Sequence, residues 1–487
     1  MTKNLILVYP PKISRGFNCD VSLALLYLAG AARDSGVCDN ISIFDFNAPS
    51  GVGKTLCDLV DIIKSREGTT VIGINCLYSA LFPSVSEIAE TLKKKFPEIK
   101  IVIGGMHPTL FAEEIIDNCQ EIDAVAIGES DIDFPKLLRY FYEGGNIDDL
   151  EGFCLRIDGE TETRLRTNYI RDLDALPRPG YEFYNFQEYA VDTGKWWSPD
   201  GIKISPFKLP LLTSRSCPNR CNFCAMRLVM GDRFRERSAE KVFEEIKHLY
   251  DTFGVNYFIV EDDNLTFNRK RIVKICEMII ESGIKVYFDA QGGISIKTLD
   301  SEVIGLMRRA GFIMVSLAAE SGSDYIRNEI MGKHVEREKI INAFKMCCAV
   351  GINVNAVFII GMPEETEGTL KETADLIREI DTTRIAVNVA KPLPGTKLFE
   401  QCVRDNLLVG GFNADTLWTG EAELNNMKKD EWYMKHLLNH SSRQFWIKPY
   451  NLSIERLMEI DVELQHIAYE KTKLWVEHMR KNNISCE

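Results

Sequence analysis

The chain has 487 residues, 45% of them hydrophobic and 26% charged, with a formal net charge of −13. These values fit a globular protein of about two to four domains, and the acidic balance excludes a general nucleic-acid binder, which needs a basic surface against phosphate. No apolar run reaches the roughly 18–20 residues that span a bilayer, so no membrane span is expected.

The start, Met1-Thr-Lys-Asn, runs directly into a strand, so no signal peptide is expected. Fourteen cysteines in so long a chain point to a reducing, cytoplasmic setting rather than a disulfide scaffold. Buried strands are predicted at Leu5–Tyr9, Ile41–Phe46, Val71–Asn75, Ile101–Gly104 and Ala124–Ile127. Helices are predicted between them at Val21–Arg33, Lys54–Lys64, Ser84–Lys95 and Phe134–Tyr142, the third opened by a capping box of Ser84 and Glu87. Such alternation predicts a doubly wound, Rossmann-like parallel sheet over residues 1–150, with ligands bound beyond the carboxyl ends of its strands.

Those ends carry Tyr9-Pro10, Asn75-Cys-Leu77-Tyr78-Ser79, Gly104-Gly105-Met-His107-Pro-Thr109 and Gly128-Glu129. The pattern resembles the cobalamin-binding domain that precedes many radical S-adenosylmethionine (SAM) domains. That resemblance implies cobalamin contacts at Pro10, Leu77, Tyr78, Ser79, Gly104, Gly105, His107, Gly128 and Glu129. The Asp-x-His-x-x-Gly signature that supplies a cobalt-ligating histidine elsewhere is absent, so the resemblance implies cobalamin without a protein histidine on cobalt. The alternatives are an empty flavodoxin-like domain, and for His107 a structural hydrogen bond to the neighbouring loop.

Residues 151–204 read as a linker. Gly152–Arg171 is expected to form a small polar hairpin, and Asp172–Gly180 is broken twice by proline. Tyr189, Trp196 and Trp197 in the following aromatic stretch are expected to pack at an interface or to line a cavity.

Over residues 205–410, strands are predicted at Leu209–Thr213, Tyr257–Val260, Val286–Ala290, Ile313–Ala318, Val354–Ile360 and Ile385–Ala390. Helices stopped by Gly254, Gly283, Gly311 and Gly351 separate them. Six such units predict a partial (β/α)6 TIM-type barrel with its functional groups at the carboxyl ends of the strands. After the first strand comes Cys217-Pro-Asn-Arg-Cys221-Asn-Phe223-Cys224. A four-iron cubane normally takes four thiolates, so three on one loop leave one iron open to another ligand; the alternative is three ligands of a zinc site completed elsewhere. The spacing resembles the cluster loop of the radical SAM superfamily, which implies a 4Fe-4S cluster on Cys217, Cys221 and Cys224 with SAM on the open iron.

At successive strand ends the same resemblance implies SAM contacts. Glu261-Asp262-Asp263-Asn264 would hold the amino group, although Asp263 or Asn264 also suits a helix cap. Glu320 and Ser321 would meet ribose and carboxylate. Gly361, Leu393 and Pro394 would lie along adenine. Asp289, Gln291 and Arg327 are weaker candidates, Arg327 being expected on a solvated helix face. No second cysteine cluster is evident among Cys347, Cys348 and Cys402, so no auxiliary cluster is expected. Residues 411–487, with Trp418, Trp432, Trp446 and Trp475, are expected to be a helical region covering the barrel mouth, Ile454–Met479 being one amphipathic helix with Leu457, Ile460, Leu464, Ile467 and Trp475 inside.

The whole pattern resembles a cobalamin-dependent radical SAM enzyme, in which a SAM-derived 5′-deoxyadenosyl radical activates an unactivated carbon of a small molecule and methylcobalamin delivers methyl to it. It implies an external electron donor such as flavodoxin or ferredoxin. The alternatives are a cyclase or oxidoreductase without methyl transfer, and a cobalamin- or cluster-based sensor. A methylthiotransferase lacks support, because neither an amino-terminal cysteine set nor a nucleic-acid module is evident.

Overall fold

The computed structural model describes residues 1–11, 21–48, 54–167, 169–190, 204–409 and 445–481. The expectations for Trp196, Trp197, Trp418, Trp432 and the Trp475 side chain lie outside the described residues. The chain divides into two units: Met1–Val191 with Arg227–Asp232, and Asp192–Met226 with Arg233–Glu487.

The first unit is built on strands β1 (Lys3–Tyr9), β2 (Asn40–Asp45), β3 (Thr69–Asn75), β4 (Lys100–Gly104) and β5 (Ala124–Ala126). They pair in parallel in the order β2-β1-β3-β4-β5. Leu5, Leu7, Val71, Val102 and Ala124 bury one face against helix residues Leu25, Ala29, Phe134 and Leu137, which is why these strands read as continuous apolar runs. Chain order reverses between β1 and β3, the place where such sheets bind ligands.

Two expectations need correction here. β6 (Phe153–Ile157) and β7 (Glu160–Arg164) form the expected hairpin, yet β6 pairs antiparallel with β5, so the hairpin extends the first sheet instead of linking units. Helix Phe82–Lys95 begins two residues before Ser84, with Pro83 in its first turn and no side-chain cap. Proline suits that position because its missing N–H has no helical partner there. The neighbouring helix Leu56–Lys64 does carry a reciprocal capping box, from Thr55 and Asp58.

The second unit holds β8 (Leu209–Leu211), β9 (Ser214–Arg215), β10 (Arg235–Glu236), β11 (Tyr257–Val260), β12 (Tyr287–Ile294), β13 (Phe312–Glu320), β14 (Asn353–Ile360) and β15 (Arg384–Val389). Six of them form a parallel sheet in sequential order, β8-β11-β12-β13-β14-β15, which is the strand order of an open TIM-type barrel. The helices before Gly254, Gly283 and Gly311 end as expected, with those glycines in the left-handed conformation. Helix Ile454–Lys481 packs on helix Glu367–Glu379 and β15 through buried Leu457, Ile460, Leu464 and Ala468, and Ile467 is half-buried.

Candidate functional site

At the reversal point of the first sheet, Leu77 and Tyr78 follow β3 with 44% and 41% of their surface exposed. An exposed apolar pair there suits a broad ring with an apolar face. Pro10 is buried, and its carbonyl accepts from Asn47 Nδ2 at 2.8 Å. Gly105 has φ of 127°, and a Cβ there would meet the Cys76 carbonyl at 2.4 Å, so glycine is required by the neighbouring strand end. Thr109 Oγ1 donates to the Gly105 carbonyl and accepts from the Gly128 N–H, which ties the Gly104-Gly105 and Gly128 loops together. The 227–232 segment of this unit reaches the same place: a Cβ on Gly128 would lie 2.9 Å from the Val229 carbonyl.

Other expected contacts are occupied within the protein. Glu129 is buried and accepts from the Ile170 N–H at 3.0 Å. His107 is 1% exposed, lies between the rings of Phe82 and Phe111, and has Nδ1 3.0 Å from Ser79 Oγ. Burial pushes its pKa down to about 3, so the imidazole stays neutral. An unfolded histidine titrates near 6.5 and therefore takes up a proton that the folded one refuses. The stability of this unit is expected to fall as pH drops below about 6.5, by at most about 1.4 kcal/mol per pH unit, levelling off below about pH 3. Urea midpoints at pH 7 and pH 5 measure it, and His107→Gln should narrow the difference between them.

In the second unit the cysteine loop leaves β9 through Ser216, whose φ is 67°, in the region that non-glycine residues rarely adopt. All three thiols are half-buried. Burial pushes Cys221 up to about 11, with Lys333 opposing, and raises Cys224 for the same reason. Cys221 is also raised by Cys224 and Cys217, and Cys224 by Cys217. Among the described residues no three His, Cys, Asp or Glu side chains gather closely enough for a single metal ion; thiolates of a cubane each bind a different iron and stand farther apart. Asn222, inside the loop, donates through its backbone N–H to Met331 O at 3.0 Å and through Nδ2 to Ile330 O at 2.6 Å, while its carbonyl accepts from the Leu398 N–H at 3.0 Å.

The strand ends around this loop divide into exposed, structural and ligand-ready groups. Glu261 is exposed. Asp262 is fully committed: its carboxylate accepts from Thr213 N, Thr213 Oγ1 and Ser214 Oγ at 2.6, 2.5 and 2.5 Å, with Arg271 nearby at 3.8 Å. Burial raises Asp263 to about 6, against a hydrogen bond from the Ser216 N–H. Neither Asp263 nor Asn264 caps the next helix; Asn268 does. Asn264 sends Nδ2 to Cys217 Sγ at 3.6 Å, and its buried Oδ1 has no partner among the described residues.

The 261–264 loop lacks glycines of its own, and β12 supplies them. A Cβ on Gly293 would lie 2.0 Å from the Asp263 carbonyl carbon, and one on Gly292 2.9 Å from Asp262 O. β12 runs through to Ile294, so Asp289 and Gln291 lie within the strand, bonded to each other at 2.5 Å.

Glu320 ends β13 with φ of 63°. Oε1 is 2.7 Å from Lys333 Nζ, while buried Oε2 has no partner among the described residues. A strained backbone presenting half a carboxylate is a ligand-ready arrangement. Burial lowers the Lys333 pKa, but the charges of Glu320 and the thiol positions outweigh it and the net shift is upward. Ser321 is fully buried, with its hydroxyl 3.2 Å from Thr373 Oγ1 and accepting from Ser323 N, so it supports the loop from behind.

Arg327, expected on a solvated face, is 0% exposed. It donates to Val335 O and Ser321 O at 2.7 Å each and pairs with Asp324. Gly361, with φ of 88°, is buried under Phe445, Leu457 and Val389. Its N–H donates to Glu365, whose carboxyl burial pushes up to about 8. Leu393 and Pro394 stay half-buried on a turn closed by Thr396. Sequence reasoning did not find Asn222, Gly292, Gly293, Lys333 or Glu365. Only the Gly-Gly pair carried a visible signal.

Comparison with known proteins follows this division of the chain. The B12 binding domain model matches residues 18–138 and the Radical SAM superfamily model matches residues 211–377. An uncharacterized methyltransferase of Pyrococcus horikoshii is 29% identical over 387 residues, covering 80% of this chain and 79% of that one. The anaerobic magnesium-protoporphyrin IX monomethyl ester cyclase of Cereibacter sphaeroides is 26% identical over 396 residues, covering 79% of this chain and 60% of that one. Among solved structures, the cobalamin-dependent SAM radical enzyme OxsB with aqua-cobalamin and SAM bound matches with a TM-score of 0.71 at 14% identity, covering 99% of this chain and 76% of that one.

Proposed function

The chain is a B12 binding domain followed by a radical SAM domain, and from that premise we propose that it methylates an unactivated carbon of a small organic substrate. The cluster, when bound, supplies the electron that cleaves SAM to a carbon radical, and cobalamin supplies a methyl carrier. The observation that carries the reading is the Cys217–Cys224 loop set against Glu320 and Asn264, each holding out a buried oxygen without a partner among the described residues, in a chain with methyltransferase relatives.

Cys217, Cys221 and Cys224 would hold three irons. Glu320 Oε2 and Asn264 Oδ1 accept from the ammonium or hydroxyl donors of SAM. Lys333 holds the other oxygen, Glu320 Oε1, at 2.7 Å. Leu77 and Tyr78 offer apolar surface to the corrin. His107 is the sole histidine of residues 1–191, and its burial against Ser79 supports cobalamin held without a protein histidine on cobalt. No side chain here is assigned as a general base. The net charge supports a small-molecule substrate over nucleic acid, and among the described residues no helix is long and apolar enough to cross a membrane.

The second reading, radical cyclisation or oxidation without methyl transfer, is favoured by the cyclase relatives. Reconstituted anaerobic protein given reductant and SAM separates the two. Methylation predicts S-adenosylhomocysteine at about one equivalent per bound cobalamin together with 5′-deoxyadenosine. The cyclase reading predicts 5′-deoxyadenosine alone.

A further inference from the structure

A cleft of about 420 Å³ opens in the second unit at the amino ends of its strands, within the roughly 300–1,000 Å³ of small-ligand sites. The carboxyl ends of helices Arg269–Ser282 and Ser301–Ala310 bound it, together with Val286 and Tyr287 where β12 begins, and Val350. From there β12 runs eight residues to Ile294, about 26 Å of extended chain. The Gly292-Gly293 pair that packs on the 261–264 loop stands at its far end, and Glu320 likewise closes β13 far from Gly311. The cleft is therefore separate from the site described above.

Its charged lining has one sign. Lys285, Arg308 and Arg309 line it, and no carboxylate does. Lys285 and Arg309 are exposed; Arg308 is half-buried, and its buried Nε has no hydrogen-bond partner among the described residues. Among the described residues none of the three forms an ion pair. Glu302, at the start of the second helix, is taken by Arg269, and exposed Glu277 and Glu281 on the first helix do not line the cleft. In a chain with 71 acidic and 58 basic side chains, three unpaired cations around one hollow call for a counter-charge.

The helix ends supply only part of it. Each carries about half a negative charge, so two of them offset about one of the three cations. Gly283 and Gly311 already donate their N–H groups to Ile280 O and Arg308 O, which caps both helices through the backbone. Ile280, Ile284 and Val350, the last 37% exposed, add apolar lining, and beside Gly283 there is open space. We propose that this cleft binds a small organic anion, with its phosphate or carboxylate on Lys285, Arg308 and Arg309 and its apolar body on Ile280, Ile284 and Val350. Guanidinium forks suit either oxyanion. The site is independent of what the cysteine loop does.

Equilibrium dialysis of the full chain against phenyl phosphate, benzoate and neutral phenol tests it. At least one anion should be retained and phenol should not, and the retention should weaken as salt rises. Arg308→Met should lower the affinity for the retained anion at least tenfold. Lys285→Met/Arg309→Met, at exposed positions, gives the same comparison if the loss of Arg308 lowers the thermal midpoint. Tighter binding of phenyl phosphate assigns a phosphate ligand, tighter binding of benzoate a carboxylate, and equal binding a site for either oxyanion. Retention of neither anion overturns the site. So does phenol bound as tightly as the anions, or anion binding indifferent to salt and to the substitutions.

Discussion

Cys221→Ala is expected to reduce bound iron from about four per chain to background and to abolish SAM cleavage, with the thermal transition of the first unit unmoved. The three thiols sit on one loop within each other's electrostatic reach, and a cubane already short of a fourth protein ligand cannot lose another. Burial holds the Cys221 thiol protonated at neutral pH in the absence of metal, its pKa being about 11, so iron must displace that proton on binding. An alanine there removes the ligand without changing any of the hydrogen bonds made by Asn222. Iron analysis with the absorbance spectrum of anaerobically purified protein reads the result; retention of about four irons would overturn the assignment of the loop.

Arg327→Met is expected to cost about 3–5 kcal/mol of stability, a fall of about 10 °C in Tm, and to weaken SAM binding. The guanidinium joins the carbonyls of Ser321 and Val335, fourteen residues apart in the chain, with no exposed surface of its own. Between them lie Lys333 and the π-helical turn Tyr325–Ile330, and just before them Glu320. Methionine fills most of the volume but leaves both carbonyls buried and unpaired. Lysine should rescue only part of the loss, because one ammonium does not reproduce a planar fork directed at two acceptors. Calorimetry measures the stability, and the change in the cluster's EPR spectrum on adding SAM measures the binding.

The contrast between these two residues shows what could be read from the chain alone. The cysteines act through spacing on one loop, and spacing is local. The strand series and the glycine stops were legible for the same reason: Gly254, Gly283 and Gly311 each follow an apolar stripe and each occupies the left-handed region. Arg327 was not legible, since its burial depends on where Ser321 and Val335 direct their carbonyls. Ser84 was misleading because Ser-x-x-Glu is also an ordinary helix interior, and Pro83 set the actual start. The 151–164 hairpin was visible as a hairpin, but its union with β5 depends on an open sheet edge that no local pattern reveals. The acidic turn at 261–264 seemed to lack glycine because its glycines stand on the adjacent strand, at 292 and 293. Among the expected cobalamin contacts, Leu77 and Tyr78 remained exposed, while His107, Ser79 and Glu129 bond within the protein.

Asn222 joins the thiol loop to residues 330, 331 and 398 through its side-chain amide nitrogen, its backbone N–H and its carbonyl. Disturbing residues 217–224 is therefore expected to loosen residues 330–331 and 398 with them, and limited proteolysis of the iron-free and the iron-loaded protein would show protection arriving at all three places together.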